Sequence, residues 1–381
     1  MLPDEDCWAE LSAGRKLLVC VGPGGVGKTT CAAAFGLRGA RSGLRVAVVT
    51  VDPSMRLAQA LGIGHGEGIA GQRVRVEGAG SGPDGRGSLE ALVLDGSRVF
   101  ETIVRSCASS PAGAEKILKN RMYQALAQRL SGATEYAAMA QVQMLNDAGA
   151  HDLIILDTPP TANAIDFLRA PARLRELVES PAVGILRGSS SLGARAFGLG
   201  AGVVVKTLAL MGGRHFMGEF GEFLGEFTEV LREFHRRGAD FEAQLISPTT
   251  AAVVVTTCSP FSVREATGFM ADLRVHGIRV SAIVLNRTDA PMMAPEGEPS
   301  SPMIRSFLRR QLGEAQLDRH GQAFAEVLRG ERKQRRSSAR VLERLHAEEP
   351  ELRIFTAARR SEPPQSLADL DALADELLHF R

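Results

Sequence analysis

The sequence has little that would tie it to an oxidising compartment, a bilayer or a polyanion. Its five cysteines, at 7, 20, 31, 107 and 258, are an odd number with no C-x-x-C pair, which argues against a disulfide framework or a zinc clasp and fits reduced thiols. There is no charge excess. Basic residues number 45 and acidic residues 44, so nothing in the balance points to nucleic acid or an anionic membrane as the main partner. Long apolar runs are also lacking: the most apolar short stretch, GAGVVVKTLALMGG, is too short to span a bilayer and contains Lys206. The N-terminal MLPDEDCWAE is acidic, without the basic-then-apolar order of a signal peptide. These absences predict a cytoplasmic protein that binds neither zinc nor nucleic acid.

What is present is an apolar fraction of 44% in 381 residues, enough for one large domain or a main domain with a second lobe. Leu17 to Val21 is a short apolar run ending in glycines, followed by an alanine-rich helical stretch closing at Gly43 and then by RVAVVTVD. This strand, loop, helix, strand order is that of a parallel α/β unit. Residues 62–88 are glycine-rich and predict a surface excursion with one short strand at Arg73 to Glu77, before the strand LEALVLDG. Residues 96–149 read as helical, with a break near Ser131 and Gly132, and lead into the buried strand of HDLIILDTPPT.

The next strand, AAVVVTTCS, comes only after residues 161–250, far more chain than one crossover helix needs. That excess predicts an inserted helical subdomain, to which 96–149 contributes, while 1–160 and 251–381 form a discontinuous α/β core. Within it Phe216, Phe220, Phe223, Phe227 and Phe234 fall on one helix face. Such a face is either the lobe's own core, a dimer contact, or a groove for an apolar client segment. Further strands, SAIVLNRTDA and LRIFTA, alternate with charged helices and a closing helix LADLDALADELLHF. The run RGERKQRRSSAR is locally basic and reads as a solvated helix face in preference to an anionic partner site.

Gly22, Gly27, Lys28 and Thr29 satisfy G-x-x-x-x-G-K-[ST] between a strand and a helix, which predicts a P-loop NTPase fold with a mostly parallel sheet flanked by helices. Glycines let successive N–H groups close on phosphate oxygens, the helix directs its positive end at them, Lys28 reaches the β and γ phosphates and the Thr29 hydroxyl ligates Mg²⁺. The candidate ATP/ADP contacts are therefore Gly24, Gly25, Val26, Gly27, Lys28, Thr29 and Thr30. Asp157, at the end of LIIL, stands where a second carboxylate holds Mg²⁺ through water. Asp52 ends the second strand and points to the same sheet edge. Its carboxylate either orients or deprotonates the attacking water or is a water-mediated magnesium ligand.

Together, GPGGVGKTT, DPSMRLAQALG, DTPPTANAIDFL and SPFSVREATGFMADLRVHGI occur in an order that resembles the ArsA-type ATPases, the arsenical-pump and tail-anchored-protein-targeting branch of the deviant Walker A P-loop NTPases. The resemblance implies that Asp52 positions or activates water, that Asn286, with Arg287 beside it, reads the adenine, and that the loop around Ala357 to Arg360 lies over the base. It also implies ATP hydrolysis by a face-to-face homodimer or a heterodimer with a related ATPase, coupled to an apolar client segment or a membrane-associated partner. The alternatives are the energising subunit of an arsenite or other oxyanion pump, and a weakly hydrolysing regulatory subunit.

The sequence departs from the family in the loop's second position, where Pro23 replaces the lysine that reaches the partner's phosphates. Proline supplies neither a cation nor an N–H. Arg56 is the first candidate for a compensating charge, against the reading of a solvated helix-start arginine. Met55, Ala162 and Asn163 also depart from the family's two switch segments.

Overall fold

A computed structural model describes residues 7–52, 56–63, 70–80, 87–108, 110–120, 123–124, 134–159, 227, 230, 232–289 and 302–378. Its centre is an eight-stranded sheet of β1 (Leu17–Val21), β2 (Arg45–Thr50), β3 (Arg73–Arg75), β4 (Ser88–Val93), β5 (Leu153–Asp157), β6 (Thr250–Thr257), β7 (Val280–Thr288) and β8 (Arg353–Ala358). The spatial order is β3-β4-β2-β5-β1-β6-β7-β8. All pairs are parallel except β3 with β4, as expected of an α/β P-loop fold.

The central strands β1, β5 and β6 are buried almost end to end because helices cover both faces. Alternation along β1 sends Leu17, Val19 and Val21 into one core and Leu18 and Cys20 into the other. The second core holds the alanine-rich helix Lys28–Arg41 and the closing helix Leu367–Leu378. Trp8, from the short helix Cys7–Ser12, stacks on Phe35 at 6.2 Å and closes its end. The first core is covered by helices Gly96–Cys107, Thr134–Ala148 and Pro260–Val275.

The helical stretch expected over 96–149 is interrupted earlier than its reading suggested. Helix Gly96–Cys107 ends at Ala108, and Ser110 caps a new helix, Pro111–Lys119, with its hydroxyl accepting from the Gly113 N–H and proline at the first turn. The Ser-Pro pair was the local signal for this break. The break expected near Ser131 and Gly132 lies outside the described residues, as do Met55, Ala162, Asn163 and residues 161–226 of the expected insertion.

Of the phenylalanine face, Phe216, Phe220 and Phe223 lie outside the described residues, whereas Phe227 and Phe234 are buried in the first core. Phe234 packs on Phe100 at 4.7 Å and Phe227 on Tyr123 at 6.0 Å. These two rings are therefore core. The basic run lies on the helix Glu314–Glu348, where Arg329, Lys333, Arg335, Arg336 and Arg340 are exposed, consistent with a solvated face.

Candidate functional site

The parallel register brings the C-terminal ends of three strands together: Cys20 of β1 and Thr50 of β2 both lie opposite Asp157 of β5. Because β5 and β6 flank β1 on opposite sides, the loop after β1 sits at the sheet's topological switch point, where α/β proteins open a crevice. Gly22 leaves the strand at φ 150°, and a Cβ there would lie 2.0 Å from the Val255 carbonyl oxygen. Gly27 adopts φ 98°, and a Cβ on it would lie 2.3 Å from Nδ2 of Asn286. Only glycine fits either position, and between them the chain turns into the helix that starts at Lys28.

The Lys28 ammonium donates to the carbonyls of Gly22 at 2.9 Å and Pro23 at 3.0 Å, drawing the loop around itself. Burial lowers its pKa and Arg56 adds to that, while Asp157, Cys20 and Asp52 oppose it. Pro23 is itself buried. Its carbonyl serves the loop lysine, and its ring offers no cation to the opening.

Asp157 is the centre of the arrangement. It is 1% exposed, and its Oδ2 accepts from the Thr29 hydroxyl at 2.6 Å and the Thr50 hydroxyl at 2.8 Å. Its Oδ1 is buried without a hydrogen-bond partner. Burial raises its pKa, against the two hydroxyl bonds and the Lys28 charge, and the same burial pushes the neighbouring Cys20 thiol well up. An unmatched buried carboxylate oxygen beside a threonine hydroxyl is the donor set that a hydrated divalent cation satisfies, so the residues present fit Mg²⁺.

Asp52 stands two residues past β2, its N–H donating to the Thr50 hydroxyl at 3.2 Å. Its Oδ2 lies 4.0 Å from Nη1 of Arg56, the first residue of the short helix Arg56–Ala60. Both line an open cleft of about 890 Å³ together with Lys28, Thr29, Thr30 and Arg287, a volume in the range of small-molecule sites.

On the far side, Asn286 donates from Nδ2 to the Val26 carbonyl at 2.8 Å, and its Oδ1 accepts from the Arg287 N–H at 2.8 Å. It thus fastens the end of β7 to the phosphate loop. Arg287 has φ 56°, uncommon for a non-glycine residue, beside a register shift between β7 and β8 that turns it into the cleft.

The structure therefore brings Gly25, Gly27, Lys28, Thr29, Thr30, Asp52 and Arg287 to one cleft, with Asp157 beneath Thr29. Gly24 is exposed on the loop, and Val26 is buried under it. The wall expected from Ala357 to Arg360 comes from slightly further on. Arg359 is tied by its N–H to the Thr288 carbonyl and Arg360 by its side chain to Glu376, and Pro363, Pro364 and Gln365 line the cleft instead. Thr158, whose hydroxyl donates to the Cys20 carbonyl at 2.9 Å, and Gln59 also line it. The Pro-Pro pair was a visible loop signal, but nothing local says which cavity it borders.

Comparison with known proteins agrees with this geometry. The family model of anion-transporting ATPases matches residues 15–304. Relatives include an uncharacterised protein of Streptomyces coelicolor, 30% identical over 42% of this chain and 38% of its own length. A putative arsenical pump-driving ATPase of Aquifex aeolicus is 27% identical over 42% and 39%, and the ATPase GET3 of Chaetomium globosum is 27% identical over 41% and 42%. The match thus spans about two fifths of the length of these curated relatives. With the family model covering most of the sequence and the phosphate loop, Asp52 and Asp157 converging on one sheet edge, the chain belongs to the anion-transporting ATPase family.

Proposed function

We infer that the protein binds Mg²⁺-ATP in this cleft and hydrolyses it to ADP and phosphate. The observation that carries the reading is Asp157: a carboxylate bonded to Thr29 and Thr50 whose other oxygen is buried and unmatched, beside Lys28. Thr29, with Asp52 and Asp157 acting through water, would hold the metal, whose charge offsets that of the phosphates. The N–H groups from Gly24 to Thr30 cradle the phosphate oxygens at the helix N-terminus. Lys28 exchanges its two loop carbonyls for β and γ oxygens. Asp52 accepts a hydrogen bond from the attacking water and holds it in line with the γ-phosphorus. Asn286 and Arg287 border the base side, with Pro363 to Gln365 as its outer wall.

Family membership supports a wider role. Nucleotide state is relayed by the segments after Asp52 and Asp157 to the helical insertion, whose Phe227 and Phe234 pack in the first core, in a dimer of like chains or with a related ATPase. The output is binding of an apolar segment or a membrane-associated partner. Reduced thiols suit a cytoplasmic setting. The oxyanion-pump alternative has weaker support, because trivalent arsenic prefers three converging thiolates and, among the described residues, which include all five cysteines, no three thiols are grouped to hold such an ion.

The test is steady-state and single-turnover hydrolysis by the purified chain and by Asp52→Asn. Loss of a general base costs roughly 10²- to 10⁴-fold in rate, and we expect Asp52→Asn to lose that much while still binding Mg²⁺-ATP. Wild-type protein that binds no nucleotide would refute the reading.

A further inference from the structure

We propose that Arg56 supplies, from within the same chain, the phosphate-directed cation that Pro23 cannot, and that it holds Asp52 until a γ-phosphate draws it away. The proposal rests on the reading of the cleft as a Mg²⁺-ATP site. Pro23 faces inward and its carbonyl is engaged by Lys28 at 3.0 Å, so the loop's second position contributes no charge to the opening. Among the described residues three cationic side chains line the cleft: Lys28, Arg56 and Arg287. Lys28 lies within the loop, and Arg287 follows Asn286 on the opposite, β7 side. Arg56 is the one beside Asp52, where the terminal phosphate and the attacking water meet.

Its present contact is suited to exchange. The Arg56 guanidinium is 4.0 Å from the Asp52 carboxylate, with side-chain exposures of 66% and 33%, so the pair is loose and screened by water. A phosphate offers more negative charge and a bidentate geometry that guanidinium matches. Arg56 lines the same cleft as Lys28, so both face whatever binds there.

Exchange has two consequences. A triphosphate gains a cation, and the charge that Arg56 holds against Asp52 is withdrawn only when the γ-phosphate is present. ADP leaves Arg56 on Asp52. The chain then carries a γ-phosphate sensor that needs no lysine from a second subunit.

The experiment titrates the full-length protein with a non-hydrolysable Mg²⁺-ATP analogue and with Mg²⁺-ADP, for wild type, Arg56→Ala and Arg56→Lys, alongside single-turnover hydrolysis. A charge-assisted phosphate contact corresponds to roughly 10- to 100-fold in affinity; Arg56→Ala should lose this for the triphosphate and leave ADP affinity unchanged. Its hydrolysis should fall on the order of 10³-fold. Arg56→Lys keeps the charge and should recover part of both. Equal losses for the two nucleotides, or none, would overturn the proposal, since a merely solvated or structural arginine does not discriminate the γ-phosphate. Failure of the wild type to bind either nucleotide would instead remove the underlying site reading, and the sensor with it.

Discussion

The two ends of the same sheet treat charge in opposite ways. At the end where β2 and β5 begin, Arg45 forms a forked contact with Asp152, at 3.1 Å from Nε and 2.8 Å from Nη2. At the same end of the sheet but on its opposite edge, at the start of β8, Arg353 pairs with Glu10, and Arg274 pairs with Glu349. These charges are matched and partly exposed. At the other end, Asp157 is buried with one oxygen unmatched, Lys28 donates only to loop carbonyls, and Arg56 stands 4.0 Å from Asp52. Matched surface pairs add little to stability, and an unmatched buried carboxylate costs some. Among the described residues the one buried carboxylate oxygen left unmatched is at this edge, which marks where ligand binding can offset the cost.

The largest effect is expected at Lys28. Lys28→Ala should abolish measurable Mg²⁺-ATP binding and hydrolysis, a loss on the order of 10³-fold or more, while leaving the circular dichroism unchanged. Retained nucleotide affinity would mean that the unmatched edge is not the phosphate site.

A smaller effect, opposite in sign for stability and binding, is expected at Asp157. Burial raises its folded pKa above the unfolded value. Its contribution is therefore fully present below the unfolded pKa and lost as pH rises through the folded one. Asp157→Asn removes that penalty, so at pH 8 the nucleotide-free protein should melt higher, by roughly 1–3 °C. The thermal shift produced by Mg²⁺-ATP should disappear. Scanning calorimetry with and without ligand reads both, and a lower melting point without ligand would place Asp157 with the matched, stabilising charges.

The smallest effect belongs to the matched edge. The Arg45 side-chain hydrogen bond holds the Asp152 carboxyl down to about 2. The stabilisation is present above the unfolded carboxylate pKa and is lost as pH falls toward about 2. Asp152→Asn should lower the melting point at pH 7 by about 2 °C or less, with the difference shrinking as pH falls through 4 to 3. Nucleotide affinity should not change.

The parts of the site that were legible share a property: their signals are local. Gly22 to Thr30 announce a phosphate loop because backbone geometry demands glycine at two fixed points and a lysine and threonine just after them. Asp52 and Asp157 were visible as acids ending apolar strands, since strand length and parallel pairing bring such positions to one edge. The Ser110–Pro111 helix break is equally local, a capping serine and a first-turn proline inside a longer stretch of helical periodicity. Asn286 was singled out by family resemblance, but its bonds to Val26 and Arg287 could not be read from spacing, because its loop partner is 260 residues away.

The sequence by itself determined the α/β class, the phosphate loop and the two strand-end carboxylates, because hydrophobic periodicity and glycine stereochemistry act over a few residues. Only the tertiary structure decided that Pro23 turns inward onto Lys28, that Asp157 joins Thr29 to Thr50 with one oxygen left unmatched, that Arg56 rests on Asp52, and that Pro363 to Gln365 wall the cleft. Hydrogen-bond satisfaction and burial at this sheet edge depend on how strands distant in the chain are brought into register, which no local pattern encodes.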